Sequence, residues 1–252
     1  MGAQKDDMDK AACFSRNAGA ITPAQQRKLA HAHIAVFGLG GVGGITAELL
    51  VRAGAGGIMV ADFDKFEHSN FNRQIHATQK TIGKSKASVF AAHAKAINQK
   101  IEIKKINKKL EYASFEFFSR AISAFAPLIV IDTMDNAGSR VLLWRMCKQA
   151  GIPYVYAAAS GERGMVAIVD GKNDLEKILR LPSRGREDED VESSLVHYPQ
   201  CRSAWGPATN LAGVLAANAG LNFLLGKQYP RAPKCWMIDA FAQKIVREEK
   251  LD

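Results

Sequence analysis

A chain of 252 residues, 47% hydrophobic and 23% charged, is long and apolar enough to bury a substantial core as one large domain or two small ones. Its 21 glycines and 8 prolines are far from collagen-like or disordered composition, which excludes the fibrous and unfolded classes. The net charge of +9 suits a polyanionic ligand, a nucleotide or an RNA, without choosing between them. Cys13, Cys147, Cys201 and Cys235 are widely spaced and form no C-x-x-C pair, so zinc is not expected and a reduced, cytoplasmic protein is. Asp6, Asp7 and Asp9 stand where a secretory leader needs a basic start, which argues against export.

Residues 1–30 read as a tail and a short helix, with Thr22 as its cap and Pro23 at the first helical position. The main fold, residues 31–252, opens with the apolar run from His33 to Phe37, the glycine cluster from Gly38 to Gly44, and the helical stretch ITAELLVRAG. Ile58 to Ala61 supplies a second strand ending at Asp62, followed by the loop EHSNFNRQ and a helix over 84–97. A strand over 101–106, a helix over 114–125 and a strand over 128–132 continue the alternation; such uninterrupted apolar strands belong to a parallel sheet covered on both faces. A helix over 137–150, a strand over 154–158 and an antiparallel strand over 165–169 follow. The fold class is therefore α/β: a doubly wound, Rossmann-like, mainly parallel sheet with antiparallel strands added in the C-terminal part.

Beyond residue 170 the mixed-charge run RGREDEDVE reads as a solvated loop. The uncharged stretch from Ser203 to Gly226 carries Thr209, Asn210, Asn218 and Asn222, which hydrocarbon penalises; it reads as a buried, Ala-rich helix and no membrane partner is expected. Short strands are expected over 235–239 and 244–246.

The spacing G-x-G-x-x-G at Gly38, Gly40 and Gly43 lets the backbone turn tightly and offer helix N-terminal N–H groups to phosphate. Asp62, 19 residues past the last glycine and at the end of the next strand, can accept from ribose hydroxyls. The same fingerprint serves dinucleotide dehydrogenases. Here, however, Asn70, Arg73 and Gln74 follow the second strand and the next helix begins with Lys84 and Lys86, and two cations such as Arg73 and Lys86 at the carboxyl ends of parallel strands suit a triphosphate. Asp135, just past the fourth strand, can hold magnesium through one carboxylate oxygen.

With these residues in place, the sequence resembles the ThiF/MoeB/HesA family of adenylating enzymes, bacterial relatives of the ubiquitin-activating enzymes. The matching pieces are IAVFGLGGVGGITAELLVRAG, DFDKFEHSNFNRQ, the Lys86 helix, DTMDNAGSR and CWMIDAFAQKIVREE, from about residue 14 to 249. The resemblance implies ATP as cofactor, with Gly38, Gly40, Gly41 and Gly43 as the nucleotide loop, Asp62 on the ribose, Asn70, Arg73 and Lys86 on the phosphates, and Asp135 on magnesium. It also implies a homodimer, since Arg16 in FSRN matches an arginine that reaches into the partner subunit's ATP site. Cys201, in HYPQCRSAWGP, falls where thioester- or persulfide-forming members carry a cysteine; Arg202 and His197 beside it favour thiolate, and an unreactive loop cysteine fits the place equally.

Three functions are consistent with this sequence. One is an adenylyltransferase for the C-terminal carboxylate of a ubiquitin-like sulfur-carrier protein. A second resembles tRNA threonylcarbamoyladenosine dehydratase, with NRQIHAT and the net charge of +9 as its marks; the lysines between Lys95 and Lys109 could contact phosphate but read better as a solvated helix and strand edge. The third is a non-catalytic nucleotide-binding scaffold, against which the retention of Arg73, Lys86 and Asp135 argues.

Overall fold

The computed structural model describes residues 13–171, 173–198 and 203–251. Among the described residues one sheet of eight strands runs through the molecule: β1 His33–Phe37, β2 Gly57–Ala61, β3 Glu102–Ile106, β4 Ile129–Asp132, β5 Tyr154–Ser160, β6 Arg163–Val169, β7 Lys234–Asp239 and β8 Val246–Lys250. Their spatial order is β3-β2-β1-β4-β5-β6-β7-β8. The first five pair in parallel and the last three antiparallel. The expected doubly wound, mainly parallel sheet with antiparallel C-terminal strands is what forms.

The helices are α1 Pro23–Ala30, α2 Gly41–Ala53, α3 Lys86–Ile97, α4 Phe115–Phe125, α5 Ala137–Ala150, the single turns α6 Leu175–Ile178 and α7 Val191–Ser194, and the long α8 Gly206–Leu225. Alternate residues of the buried strands divide between two cores. Ile34, Val36, Ile58 and Val60 meet Leu50 and Val51 of α2, Phe90 of α3 and Ala212 and Ala216 of α8. Ala35, Phe37 and Met59 meet Phe118 and Ile122 of α4 and Leu142 and Cys147 of α5. The edge strands, EIKKI in β3 and VREEK in β8, carry charges that discourage further strand pairing.

Thr22 caps α1 in a full capping box: Gln25 N donates to Thr22 Oγ1 at 3.2 Å and Thr22 N to Gln25 Oε1 at 3.0 Å. By length and composition α8 is apolar enough to cross a membrane, yet half of that window is buried in the protein. Its small residues let backbones approach: a Cβ on Gly213 would lie 2.3 Å from Ile45 Cγ2 and 2.4 Å from Val42 O, and Thr46 Oγ1 donates to Gly213 O at 3.0 Å. It is a core helix.

Some local expectations change. The helix expected over 84–97 starts at Lys86, because Ser85 caps it, its Oγ accepting from Ser88 N at 3.3 Å. The final strand starts at Val246, because Asp239 closes a turn: its N donates to Ile245 O at 2.9 Å and its Oδ1 accepts from Phe241 N at 3.1 Å, which takes Lys244 out of the sheet. The charged run RGREDEDVE is not simply solvated. Arg145 of α5 reaches Asp188 at 2.8 Å and Glu176 at 2.9 Å, and Val191 is fully buried, so the run is clamped onto α5.

Candidate nucleotide site

The loop between β1 and α2 is shaped by its glycines. Gly38 has φ +87°, a left-handed conformation that favours glycine. A Cβ on Gly43 would lie 1.9 Å from Gly38 O and 2.3 Å from Thr133 Oγ1, and one on Gly41 would lie 2.5 Å from Thr209 Cγ2. Gly40 is different: the nearest atom to its Cβ would be Gln74 Nε2 at 3.9 Å. Gly38, Gly41 and Gly43 thus pack the loop against its own protein, whereas Gly40 keeps open space above the N-terminus of α2, where N–H groups and the helix dipole favour an anion.

That space is part of a cleft of about 960 Å³ at the carboxyl ends of the parallel strands, where the strand order reverses between β1 and β4. Gly38, Gly40, Gly41, Asp62, Asn70, Arg73, Gln74, Lys86 and Asp135 line it, and Gly43 lies behind it. The expected binding residues therefore converge from β1, β2, β4 and the loops that follow them.

Each is held by neighbours. Asp62 is buried; its Oδ2 accepts from Leu39 N at 2.6 Å and its Oδ1 from Asp64 N at 2.8 Å. Burial pushes its carboxyl above the ordinary value, against the opposing pull of Lys86 and the two N–H groups. Lys86 begins α3 behind its cap Ser85 and sits with Nζ 2.9 Å from Asp64 Oδ2. Asn70 spends its Oδ1 on Glu67 N at 3.0 Å, fixing the loop. Arg73 Nη1 donates to Ser69 O and Asn72 Oδ1, both at 2.8 Å, while Asn210 of α8 holds its backbone through Nδ2 to Arg73 O at 3.0 Å. Gln74 Oε1 is a buried acceptor with no hydrogen-bond partner, a group that a ligand hydroxyl or a water can satisfy.

Asp135 is exposed on the cleft wall and makes no ion pair among the described residues. A free carboxylate beside the phosphate-binding loop is the hard oxygen donor that magnesium takes, and in that respect the site fits the ion. Behind it lies a buried network the motif reading missed. Asp132, fully buried, accepts from Arg140 Nη1 at 3.0 Å, from Met134 N at 2.9 Å and from the Tyr154 hydroxyl. Arg140 Nη2 donates to Met134 O and to Ala157 O, and the guanidinium lies 4.6 Å over the Tyr156 ring. Burial pushes the Asp132 carboxyl up, with Arg140 the main opposing pull; burial likewise opposes the Arg140 charge, but Asp132 together with Tyr156, Tyr154 and Asp135 outweighs it and holds that guanidinium above its usual value. The arginine cannot shed its proton, so Asp132 carries its counter-charge. The available signal was an aspartate ending an all-apolar strand with an arginine 8 residues on, in the first turn of the next helix, both inside DTMDNAGSR.

One expected residue is not at this cleft, and another lies outside the described residues. Arg16 is exposed, in a short turn next to the C-terminus of α2, where Asn17 Nδ2 donates to Ala53 O at 3.3 Å. The glycine loop is at the other end of that helix, about 20 Å away at 1.5 Å per residue, so Arg16 does not reach its own chain's cleft. Cys201 lies outside the described residues. The lysine stripe is largely engaged within the chain: Lys95 bonds Gln99 O, Lys104 bonds Ala121 O, Lys105 bonds Ser88 Oγ, Lys108 lies over Phe117 and Lys109 pairs with Glu111.

Residues 14–251 match the model of the ThiF family. A tRNA threonylcarbamoyladenosine dehydratase of Bacillus subtilis is 31% identical over 60% of this chain and 58% of its own length. A sulfur carrier protein ThiS adenylyltransferase of the same organism is 30% identical over 59% of this chain and 44% of its own. The chain spans about half the length of these curated relatives. A molybdopterin-synthase adenylyltransferase of Haemophilus influenzae is 30% identical over 90% of this chain and 88% of its own length. The crystal structure of Escherichia coli tRNA N6-threonylcarbamoyladenosine dehydratase in complex with AMP superposes with a TM-score of 0.69 at 26% identity, covering 86% of this chain and 95% of that one. On the match across nearly its whole length, this chain belongs to the ThiF family.

Proposed function

We propose that this protein is a cytoplasmic, ATP-dependent adenylyltransferase that activates the C-terminal carboxylate of a ubiquitin-like sulfur-carrier protein. The observation that carries the reading is the single cleft in which the glycine loop, Arg73, Lys86 and Asp135 meet and which runs on over Ala158, Ala159 and Gly164. Small residues there leave room for a narrow, extended chain terminus such as one ending in glycine. The full-length likeness to an adenylyltransferase supports it.

In this reading the N–H groups at the start of α2 hold phosphate, and Asp62 accepts from the ribose hydroxyls. A carrier carboxylate oxygen attacks the α-phosphorus; an O–P bond forms as the bond to pyrophosphate breaks, giving an acyl adenylate. Arg73 forks onto phosphate oxygens and Lys86 moves from Asp64 to a phosphate, so both neutralise charge growing on the leaving pyrophosphate. Magnesium, held by Asp135, supplies further neutralisation there when bound. The chain contributes positioning and electrostatics rather than a covalent step. Arg16, remote from its own cleft, serves an ATP site only across a homodimer interface.

The test is ATP–pyrophosphate exchange with a carrier ending in Gly-Gly. Arg73→Ala, Lys86→Ala and Asp135→Ala are each expected to lower it by ~10²–10³ without altering the fold; near-wild-type exchange in all three would end the assignment. A second reading, activation of a carboxylate on tRNA, is favoured by the net charge of +9 and by the likeness to the dehydratase structure. ATP turnover only with threonylcarbamoylated tRNA, falling steeply with salt, would establish it instead.

A further inference from the structure

Away from the cleft, three side chains from three elements converge: Glu48 on α2, His76 in the loop after β2, and His93 on α3. None of them lines the nucleotide cleft. Their ligand atoms all lie within 4.8 Å of one another, with Glu48 Oε2 3.1 Å from His76 Nε2 and 3.4 Å from His93 Nε2. We propose that Glu48, His76 and His93 form a binding site for a single first-row divalent cation, with zinc(II) as the best-suited ion, independent of the adenylation reading.

The geometry has four features of such a site. Zinc bonds of 2.0–2.1 Å in tetrahedral arrangement place neighbouring ligand atoms about 3.3 Å apart, close to both separations from Glu48. Both imidazole Nε2 atoms are buried and neither has a hydrogen-bond partner, although Glu48 Oε2 stands within 3.4 Å of each. The carboxylate is divided: Oε1 accepts from Arg52 Nε at 2.7 Å, which orients the group and leaves Oε2 for the ion. The rings of His76 and His93 stand edge to face with centroids 5.0 Å apart, and Phe90 lies edge-on to His76 at 5.7 Å as an apolar wall.

An ordinary ion-pair or hydrogen-bonded cluster accounts for this arrangement less well, because neither Nε2 makes a hydrogen bond to the carboxylate oxygen that faces it. Neutral imidazoles are metal ligands, and two of them with one carboxylate suit zinc over magnesium or calcium. The half-exposed His93 side chain gives the ion a way in, and three protein ligands leave the fourth position to water.

The site also has a mechanical consequence. α2 begins at the glycine loop, His76 is two residues beyond Gln74, and α3 begins with Lys86. One ion would fasten together the three segments that bring the phosphate-binding groups to the cleft.

The test uses the full chain, free of any histidine tag, stripped with chelator and titrated calorimetrically with zinc(II) and with cobalt(II) as a spectroscopic probe. One equivalent per chain is expected, with the visible absorption of four-coordinate cobalt and a rise in the unfolding midpoint on adding zinc. His93→Ala, at a half-exposed helix position, is expected to weaken binding by more than about 100-fold, beyond the ~10–100-fold typical of losing an outer-shell partner. Glu48→Gln is expected to do the same, and His31→Ala, an exposed histidine outside the cluster, to change nothing. Absence of saturable binding, or binding that His93→Ala leaves intact, would overturn the proposal.

Discussion

Lys86 Nζ rests 2.9 Å from Asp64 Oδ2, and the same two residues are joined again by Lys86 N donating to Asp64 O at 3.0 Å. The lysine is buried and the carboxylate about half exposed, so the cation is parked at the cleft wall on a partner that water already screens. Such a pair contributes at most ~1 kcal/mol, which a phosphate can displace at little cost. Replacing the carboxylate leaves Lys86 free for the ligand: Asp64→Asn is expected to tighten ATP binding by up to about five-fold, measured by calorimetry. Weaker binding would mean instead that Asp64 positions the lysine.

The glycines of the loop separate folding from binding. Gly43→Ala places a methyl group 1.9 Å from a backbone oxygen, and Gly40→Ala places one in open space. The first is expected to cost several kcal/mol and lower the unfolding midpoint, on the scale of ~1–3 kcal/mol or more for overpacking. The second is expected to leave the midpoint unchanged while lowering ATP affinity at least about ten-fold, because the added methyl occupies the phosphate's space. Equal midpoints for the two variants would contradict this division.

Arg140 and Asp132 hold the wall of the cleft from behind. Arg140→Ala strands a fully buried carboxylate, a loss of about 3–5 kcal/mol for breaking a buried pair. At roughly 2–4 °C per kcal/mol for a chain of this size, the midpoint is expected to fall by about 6–20 °C in a thermal scan. A change within experimental error would show that water or another donor replaces the guanidinium.

Acid stability follows from the histidine cluster in metal-free protein. Burial holds His76 below its ordinary 6.5, Glu48 opposes that shift and His93 adds to it. The unfolded chain therefore takes up a proton below pH 6.5 that the folded chain refuses, so this contribution is fully present above 6.5 and lost as pH falls. Glu48 lies below its ordinary 4.5: burial raises it, but the Arg52 hydrogen bond and the charges of His76, His93 and Arg52 outweigh that, and its contribution is lost on further acidification. Urea unfolding with chelator, above and below pH 6.5, is expected to show a slope of up to ~1.4 kcal/mol per pH unit that His76→Gln flattens. An unchanged slope in that variant would assign the effect elsewhere.

By itself the sequence determined the features that depend on neighbours along the chain. The apolar runs of β1, β2 and β4, the Thr22 cap with Pro23 behind it, the glycine spacing and the placing of Asp62 at a strand end are local patterns, because burial on both faces, helix capping and tight turns are decided within a few residues. What tertiary structure alone decided is which distant groups meet. Asn210 secures the backbone of Arg73 across 137 residues, Asp64 holds Lys86 across 22, and Arg16 stands at the wrong end of α2 for its own cleft. Glu48, His76 and His93 show no motif spacing at all; they become neighbours because α2, the loop after β2 and α3 cover the same face of the sheet. Periodicity reports which face of an element is buried, whereas the partners buried with it are chosen by the crossovers of the chain.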